Sequence, residues 1–154
     1  EIIVQTDLLA TLAEIINHSI QADAGEDSVS LWPLLSGKRK TDTPLHQAII
    51  SQSVTGNFAV RMGKWKLLFS RGSGGWSTPN EAIAKKMGLS TTQLYDLSTD
   101  PKESNNVHTQ HPKVIEQLTE VFRKFVENGR STPGPKQANH HGTHWETIPW
   151  PKGK

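Results

Sequence analysis

The chain has 154 residues and a formal net charge of +2, and 34% of its residues are hydrophobic. This composition predicts one modest domain with a hydrophobic core and excludes a fibrous repeat and a wholly disordered chain. The small net charge argues against a dedicated nucleic-acid or membrane-surface protein. No apolar run approaches the roughly 18–20 residues of a membrane span. We therefore expect neither nucleic acid nor a membrane span.

Charge is distributed unevenly along the chain. Residues 1–35 contain six acidic residues and no lysine or arginine, whereas residues 36–86 contain nine basic and two acidic residues. The basic segment could therefore face an acidic surface or an anionic ligand. Cysteine is absent, which excludes disulfide bonds, cysteine-ligated zinc and thiol nucleophiles. The sequence starts at Glu1 without a signal-peptide pattern, so we expect a piece of a longer protein.

The first predicted element is an amphipathic helix from about residue 7 to about residue 17. Its apolar residues recur at helical spacing, and Thr6 or Asp7 could cap the free backbone N–H groups at its start. The apolar residues are Leu8, Leu9, Leu12, Ile15 and Ile16. A compact apolar turn is predicted at residues 30–37, and an exposed linker at residues 38–44.

Four short strands are predicted in the middle of the chain, at residues 46–53, 58–61, 64–70 and 93–97. The break at Met62 and Gly63 suits a tight hairpin, because glycine readily adopts a positive φ. An antiparallel meander is the simplest arrangement of these strands. Before the fourth strand lies a long insertion, residues 71–92, with a helical turn at about 81–87. Loops of this length are usually either functional or disordered.

The last predicted elements are helical. Asp100 and Pro101 predict a short helical turn, because aspartate caps backbone N–H groups and proline fits the first helical position. From Pro112 an apolar stripe recurs at helical spacing between charged residues, and Gly129 is placed to end that helix. We expect this amphipathic helix to lie across the sheet.

A polar tail follows, at residues 131–154. It contains His140, His141 and His144, whose spacing could bind a transition metal. No carboxylate stands at a set spacing from these histidines, so a disordered or packed tail is favoured. We assign no metal site to it.

Several sequence blocks occur in a fixed order. They are TDLLATLAE at 6–14, VSLWPLL at 29–35, GNFAVRMGKWKLL at 56–68 and LYDLSTDPKESNN at 94–106, before the amphipathic helix. Together they resemble the C-terminal part of the type I sulfatases (arylsulfatases), which belong to the alkaline-phosphatase superfamily. The blocks GSGGWSTP at 72–79 and GRSTPGPKQAN at 129–139 are similar to a subset of bacterial arylsulfatases.

The resemblance implies an α+β fold. We expect a small antiparallel sheet of about four strands with a packed amphipathic C-terminal helix, as the C-terminal subdomain of an α/β alkaline-phosphatase-like sulfatase. Residues 1–37 would be the tail end of the α/β catalytic domain. Residues 38–130 would form the C-terminal subdomain, and residues 131–154 an extended polar tail.

The resemblance also implies a chemistry that these residues lack. Such sulfatases hydrolyse sulfate esters with a formylglycine, made from Cys or Ser in a C/S-x-P-x-R motif, and with calcium. That motif does not occur here, so we assign no catalytic residue and no metal ligand and expect the chain alone to be inactive. Calcium and formylglycine are implied for the full-length enzyme, with the N-terminal catalytic domain as partner. The resemblance also implies that the full-length enzyme is periplasmic or secreted.

Three residues are candidates for contacts with a sulfated small molecule or glycan. Gln52 lies where related sequences often carry a His-His-Ser block. Arg71 belongs to a basic group that could attract anions, although a solvated face explains these charges as well. Trp76 lies among glycines and could stack on an aromatic or sugar ring, or fill a gap between modules.

Two other hypotheses remain open at this point. A stand-alone module for anionic (sulfated) glycans would use the basic segment and Trp76, and its affinity would fall as salt is added. A structural remnant would bind no ligand. The subdomain hypothesis predicts instead that the apolar residues of the first helix are exposed in the isolated chain. They are Leu9, Leu12, Ile15 and Ile16.

Overall fold

The computed structural model describes residues 1–39 and 42–139. Within these residues the elements, in chain order, are α1 (Asp7–Ile15), α2 (Trp32–Leu35), β1 (Ile49–Gln52), β2 (Phe58–Met62), β3 (Trp65–Leu68), α3 (Glu81–Lys86), β4 (Gln93–Asp96) and α4 (Pro112–Asn128). The described chain divides into two compact units. Of the described residues, unit 1 contains 1–39, 42–49 and 124–139, and unit 2 contains 50–123.

The sheet is an antiparallel meander with the order β1-β2-β3-β4. Val60 of β2 pairs with Leu67 of β3, which pairs in turn with Leu94 of β4, and all three side chains are buried. The two-residue connection between β2 and β3 places Gly63 at φ +55°, where a side chain would be strained. The predicted α+β fold with a four-stranded antiparallel sheet is therefore confirmed.

The core of unit 2 forms where α4 packs on the sheet. The ring of Phe122 lies 5.3 Å from that of Phe58 and 5.5 Å from that of Phe69, and its side chain is 2% exposed. Leu118, one turn earlier, is fully buried. Gly129 follows the last helical residue with φ +61°. The predicted amphipathic helix, its position on the sheet and its end are confirmed.

Two local predictions need correction. Residues 100–103 form a hydrogen-bonded turn and not a helix, because Glu103 adopts φ +55°. The Asp100 carboxylate accepts the N–H groups of Ser104 (3.1 Å) and Asn105 (2.8 Å) and so fixes a loop. Thr6 makes no side-chain cap at the start of α1. None of the helices in the described part of the chain has the length and apolar character to cross a membrane.

Phe122→Ala should lower the free energy of unfolding by about 3–5 kcal/mol, because it removes a buried ring between two others and leaves a cavity. Urea denaturation of the 154-residue chain measures this change. The control Val54→Ala removes an exposed side chain (66% exposed) and should stay within about 0.5 kcal/mol. Similar losses in the two variants would contradict the packing described for α4.

Candidate functional site

A buried carboxylate organises unit 1. Asp7, the first residue of α1, is fully buried, and its side chain accepts hydrogen bonds from the backbone N–H groups of Val4 (2.9 Å) and Val29 (3.0 Å). His46 Nε2 lies 2.9 Å and 3.0 Å from the two carboxylate oxygens. The sequence predicted Asp7 as a possible helix cap and His46 as a strand residue. The structure instead joins them across 39 positions.

This arrangement of hydrogen bonds lowers the pKa of the Asp7 carboxyl. Burial alone would raise the pKa of Asp7, but the hydrogen bonds from Val4, His46 and Val29 outweigh burial and hold the pKa below its ordinary value. Thr11, one turn along α1, is also buried, and its hydroxyl donates to the Asp7 carbonyl (2.6 Å) and accepts the Leu31 N–H (2.9 Å). The inner side of α1 therefore carries two polar side chains, Asp7 and Thr11, and both are hydrogen-bonded.

The outer side of α1 is apolar and has no cover in the described chain. Its large side chains are between 48% and 71% exposed. They are Leu8, Leu9, Leu12, Ile15 and Ile16. A contiguous exposed apolar surface on a helix marks an interaction site. The exposure predicted for the subdomain hypothesis is confirmed.

A second feature of unit 1 is the segment after α4. The Arg130 guanidinium donates to the carbonyl oxygens of Thr132 (2.9 Å), Ala22 (3.1 Å) and Pro135 (3.1 Å). A pocket of ≈ 520 Å³ opens between residues 20–30 and 130–135. Arg130 is thus used to hold two stretches of backbone together, which explains the GRSTPGP block as a structural motif.

In unit 2 a groove of ≈ 200 Å³ is lined by polar residues and also by the apolar residues Phe58, Ala59 and Leu68. Its lining includes Gln52 at the end of β1, Lys66 of β3, and the hydroxyl groups of Ser51, Ser53, Ser70 and Ser73. The Lys66 ammonium lies 2.6 Å from a carboxylate oxygen of Glu103. No carboxylate side chain is among the described residues that line the groove.

The three predicted contact residues are not equivalent in the structure. Gln52 lines the groove. The Arg71 guanidinium donates to the Leu89 carbonyl oxygen (2.8 Å) and pairs with Glu81 (3.4 Å), so it binds its own insertion. Trp76 is 91% exposed on the loop that follows Arg71. Whether these residues touch a substrate stays a prediction.

Several of the basic residues in the predicted anion-attracting group have acidic partners. Lys64 Nζ lies 2.6 Å from Asp96, and its hydrogen bond is the main reason that the pKa of that carboxyl is lowered. Arg39 pairs with Glu1 at 2.5 Å. These ion pairs offset much of the positive charge that the sequence concentrates in residues 36–86. These ion pairs favour an ordinary solvated surface over a surface that attracts an anionic substrate.

The described residues hold no cluster of three or more His, Cys, Asp or Glu side chains that could bind a metal ion. The histidines of the tail, His140, His141 and His144, lie outside the described residues.

Comparison with known proteins agrees with these features. Residues 46–153 match the family model for the C-terminal region of aryl-sulfatase. The chain belongs to the sulfatase family. The resemblance of its sequence blocks to the C-terminal part of a sulfatase is therefore confirmed.

Relatives of this sulfatase region are considerably longer than the chain. An N-acetylgalactosamine-6-O-sulfatase from Bacteroides thetaiotaomicron is 35% identical over 125 residues, which cover 77% of this chain and 22% of the relative. A choline-sulfatase from Rhizobium meliloti is 27% identical, over 73% of this chain and 19% of the relative. A solved sulfatase structure from work on glycosaminoglycan metabolism by Bacteroides thetaiotaomicron has a TM-score of 0.58 and 32% identity, over 77% of this chain and 24% of that one. The chain spans about a fifth of these relatives.

Asp7→Asn should flatten the dependence of unfolding free energy on pH. Because the pKa of Asp7 is lowered in the folded chain, its stabilisation is complete above an unfolded pKa of about 4 and is lost as pH falls. At pH 7 the variant should be less stable by about 1–3 kcal/mol, and the difference should shrink toward pH 3. Urea titrations between pH 7 and pH 3 measure this.

The matched control is Asp23→Asn, which changes an exposed carboxylate in the same unit. It should leave the pH dependence close to that of the wild type. An Asp7→Asn variant that keeps the full acid dependence would contradict the buried-carboxylate account.

Proposed function

We propose that this chain is the C-terminal subdomain of a sulfuric ester hydrolase. It completes the fold of an N-terminal catalytic domain and forms one wall of the substrate cleft. The observation that carries the proposal is the uncovered apolar side of α1, whose inner side is fixed by Asp7 and Thr11. The matched residues cover only 22% of the N-acetylgalactosamine-6-O-sulfatase, and the rest of such an enzyme would lie outside this chain, so the occupant we name for this surface is the catalytic domain.

The chemistry of hydrolysis is assigned to that catalytic domain. The chain has no cysteine and no C/S-x-P-x-R motif, and its described residues form no metal-binding cluster. In the full-length enzyme the catalytic domain would contribute calcium and formylglycine, which polarise and attack the sulfate group. The residues of this chain would contribute binding and orientation only. We therefore expect the chain alone to be inactive.

The substrate class we propose is a sulfated glycan, with export of the full-length enzyme to the periplasm or medium where such polymers occur. Matches above 30% identity support a glycan: the sequence match is an N-acetylgalactosamine-6-O-sulfatase, and the structure match comes from work on glycosaminoglycan metabolism in the same organism. The groove, whose lining includes the Gln52 amide and several serine hydroxyl groups, offers hydrogen bonds to the hydroxyl groups of a sugar. Choline sulfate is the competing substrate, named by the other relative.

Leu8→Ser combined with Leu12→Ser should separate docking from folding. Both side chains are more than half exposed in the isolated chain, so its unfolding free energy should change by no more than about 1 kcal/mol. In the full-length enzyme the same changes should cost about 3–6 kcal/mol, because two leucines lose a buried contact. Denaturation of both forms measures the difference. The control is Val54→Ser, which changes an exposed side chain of unit 2. It should leave the unfolding free energy of both the isolated chain and the full-length enzyme unchanged.

The activity test compares the chain alone with the full-length enzyme, each with calcium. The substrates are a chromogenic aryl sulfate, N-acetylgalactosamine 6-sulfate and choline sulfate. We expect hydrolysis only by the full-length enzyme and a higher kcat/KM for the sugar than for choline sulfate. Activity of the isolated chain would overturn the proposal. Salt-sensitive binding of sulfated oligosaccharide by the isolated chain, with an inactive full-length protein, would favour the stand-alone glycan-binding module.

A further inference from the structure

Trp76 is the most exposed large apolar side chain in the described part of the chain, at 91%. An indole of this size normally contributes to a core or an interface. The neighbouring positions are small or polar, in the sequence Gly74-Gly75-Trp76-Ser77, so no apolar neighbour in this stretch of sequence covers the ring. Its exposure therefore needs an explanation other than local packing.

The loop that presents Trp76 is held in one conformation by its own hydrogen bonds. Ser73 donates from its hydroxyl to the Ser77 carbonyl (2.6 Å) and from its backbone N–H to the Pro79 carbonyl (2.8 Å). The Thr55 hydroxyl donates to the Gly74 carbonyl (2.7 Å) and ties the loop to the β1–β2 connection. Fixing a loop before binding reduces the entropy lost when a ligand is bound.

Two side chains of β4 anchor the base of this loop. Gln93 Nε2 donates to the carbonyl oxygens of Ser70 (2.8 Å) and Gly72 (2.7 Å). The Tyr95 hydroxyl donates to Gln93 Oε1 (2.6 Å), which fixes the orientation of the amide. Gly72 itself packs so closely that a Cβ there would lie 2.5 Å from the Pro79 carbonyl oxygen. The loop is thus built onto the sheet.

The same loop forms an edge of the groove. Ser73 and Gly74, two and three residues before Trp76, line the groove together with Gln52 and Lys66. An exposed indole therefore stands two residues along the chain from a groove that carries amide and hydroxyl groups and the Lys66 ammonium, which is paired with Glu103. An apolar flat surface beside polar groups matches a pyranose ring, which has C–H bonds on its faces and hydroxyl groups on its edge.

We propose that the Trp76 loop and the groove form a subsite for a sugar ring next to the residue that carries the hydrolysed sulfate. Trp76 stacks on the face of this neighbouring ring, and the groove binds its hydroxyl groups. This subsite makes the enzyme select an oligosaccharide over the corresponding monosaccharide. The inference rests on the proposed function, since it names the length of the sulfated glycan that the full-length enzyme takes.

The test measures kcat and KM of the full-length enzyme on N-acetylgalactosamine 6-sulfate and on a tetrasaccharide ending in that residue. Trp76→Ala should lower kcat/KM for the tetrasaccharide about tenfold, chiefly through KM, because a stacking contact is lost in ground and transition states alike. For the monosaccharide the change should stay within about twofold. Trp76→Phe keeps an aromatic face and should retain most of the tetrasaccharide activity.

Met87→Ala is the matched control, since Met87 is a 62% exposed apolar residue of the same insertion and does not line the groove. Met87→Ala should leave kcat/KM unchanged for both substrates. Equal losses by Trp76→Ala on both substrates, with a lower melting temperature, would show that Trp76 packs on the catalytic domain and would overturn the subsite. No loss on either substrate would also overturn it, while leaving the proposed function intact. A wild-type enzyme inactive on all sulfated sugars would overturn the proposed function and the subsite together.

Discussion

The buried carboxylate of Asp7 holds α1 in unit 1 by its polar side. A buried charge is tolerated only when its hydrogen-bonding capacity is satisfied, and here the Val4 and Val29 N–H groups and His46 satisfy it. The rotation of α1 is thereby fixed, with Asp7 and Thr11 facing inward. The apolar side of the helix must then face outward, which is unfavourable in water unless another surface covers it.

Helix α1 buries its polar side and exposes its apolar side, and this arrangement is the one expected for a part of a larger protein. An ordinary amphipathic surface helix buries its apolar stripe and exposes its polar side. In α1 the polar contacts are made within unit 1, and the apolar contacts remain to be made. Family membership agrees with this, because the chain matches the C-terminal region of aryl-sulfatase and the matched residues cover only about a fifth of the relatives.

Unit 2 shows a different division of roles between two faces of one sheet. One face is closed by α4 through Phe122 and Leu118, which provides the core. Lys66 and Leu68, which alternate with the buried Leu67 along β3, line the groove from the other face, and β4 uses Gln93 and Tyr95 to anchor the loop at its edge. A rigid core on one side lets the opposite side hold side chains in place for a ligand.

Much of the fold was predictable from the sequence because it rests on local periodicity. The apolar stripe predicted α4 to within a residue of its observed end, and the alternating segments with Gly63 predicted the meander. The contacts of the candidate sites were not predictable, since they join distant positions. Asp7 meets His46 across 39 residues, and Lys66 meets Glu103 across 37. No pattern within a window of sequence reports such pairs.

The sequence by itself determined the family, the order of the elements and the absence of a C/S-x-P-x-R motif from these 154 residues, because ordered motifs and residue types are properties of the chain alone. Only the tertiary structure decided which side of α1 is buried, which cations are neutralised by carboxylates, and that Trp76 stands exposed beside a groove. Burial and pairing depend on which remote groups come together on folding, and the free energy of those contacts, rather than local propensity, selects the arrangement.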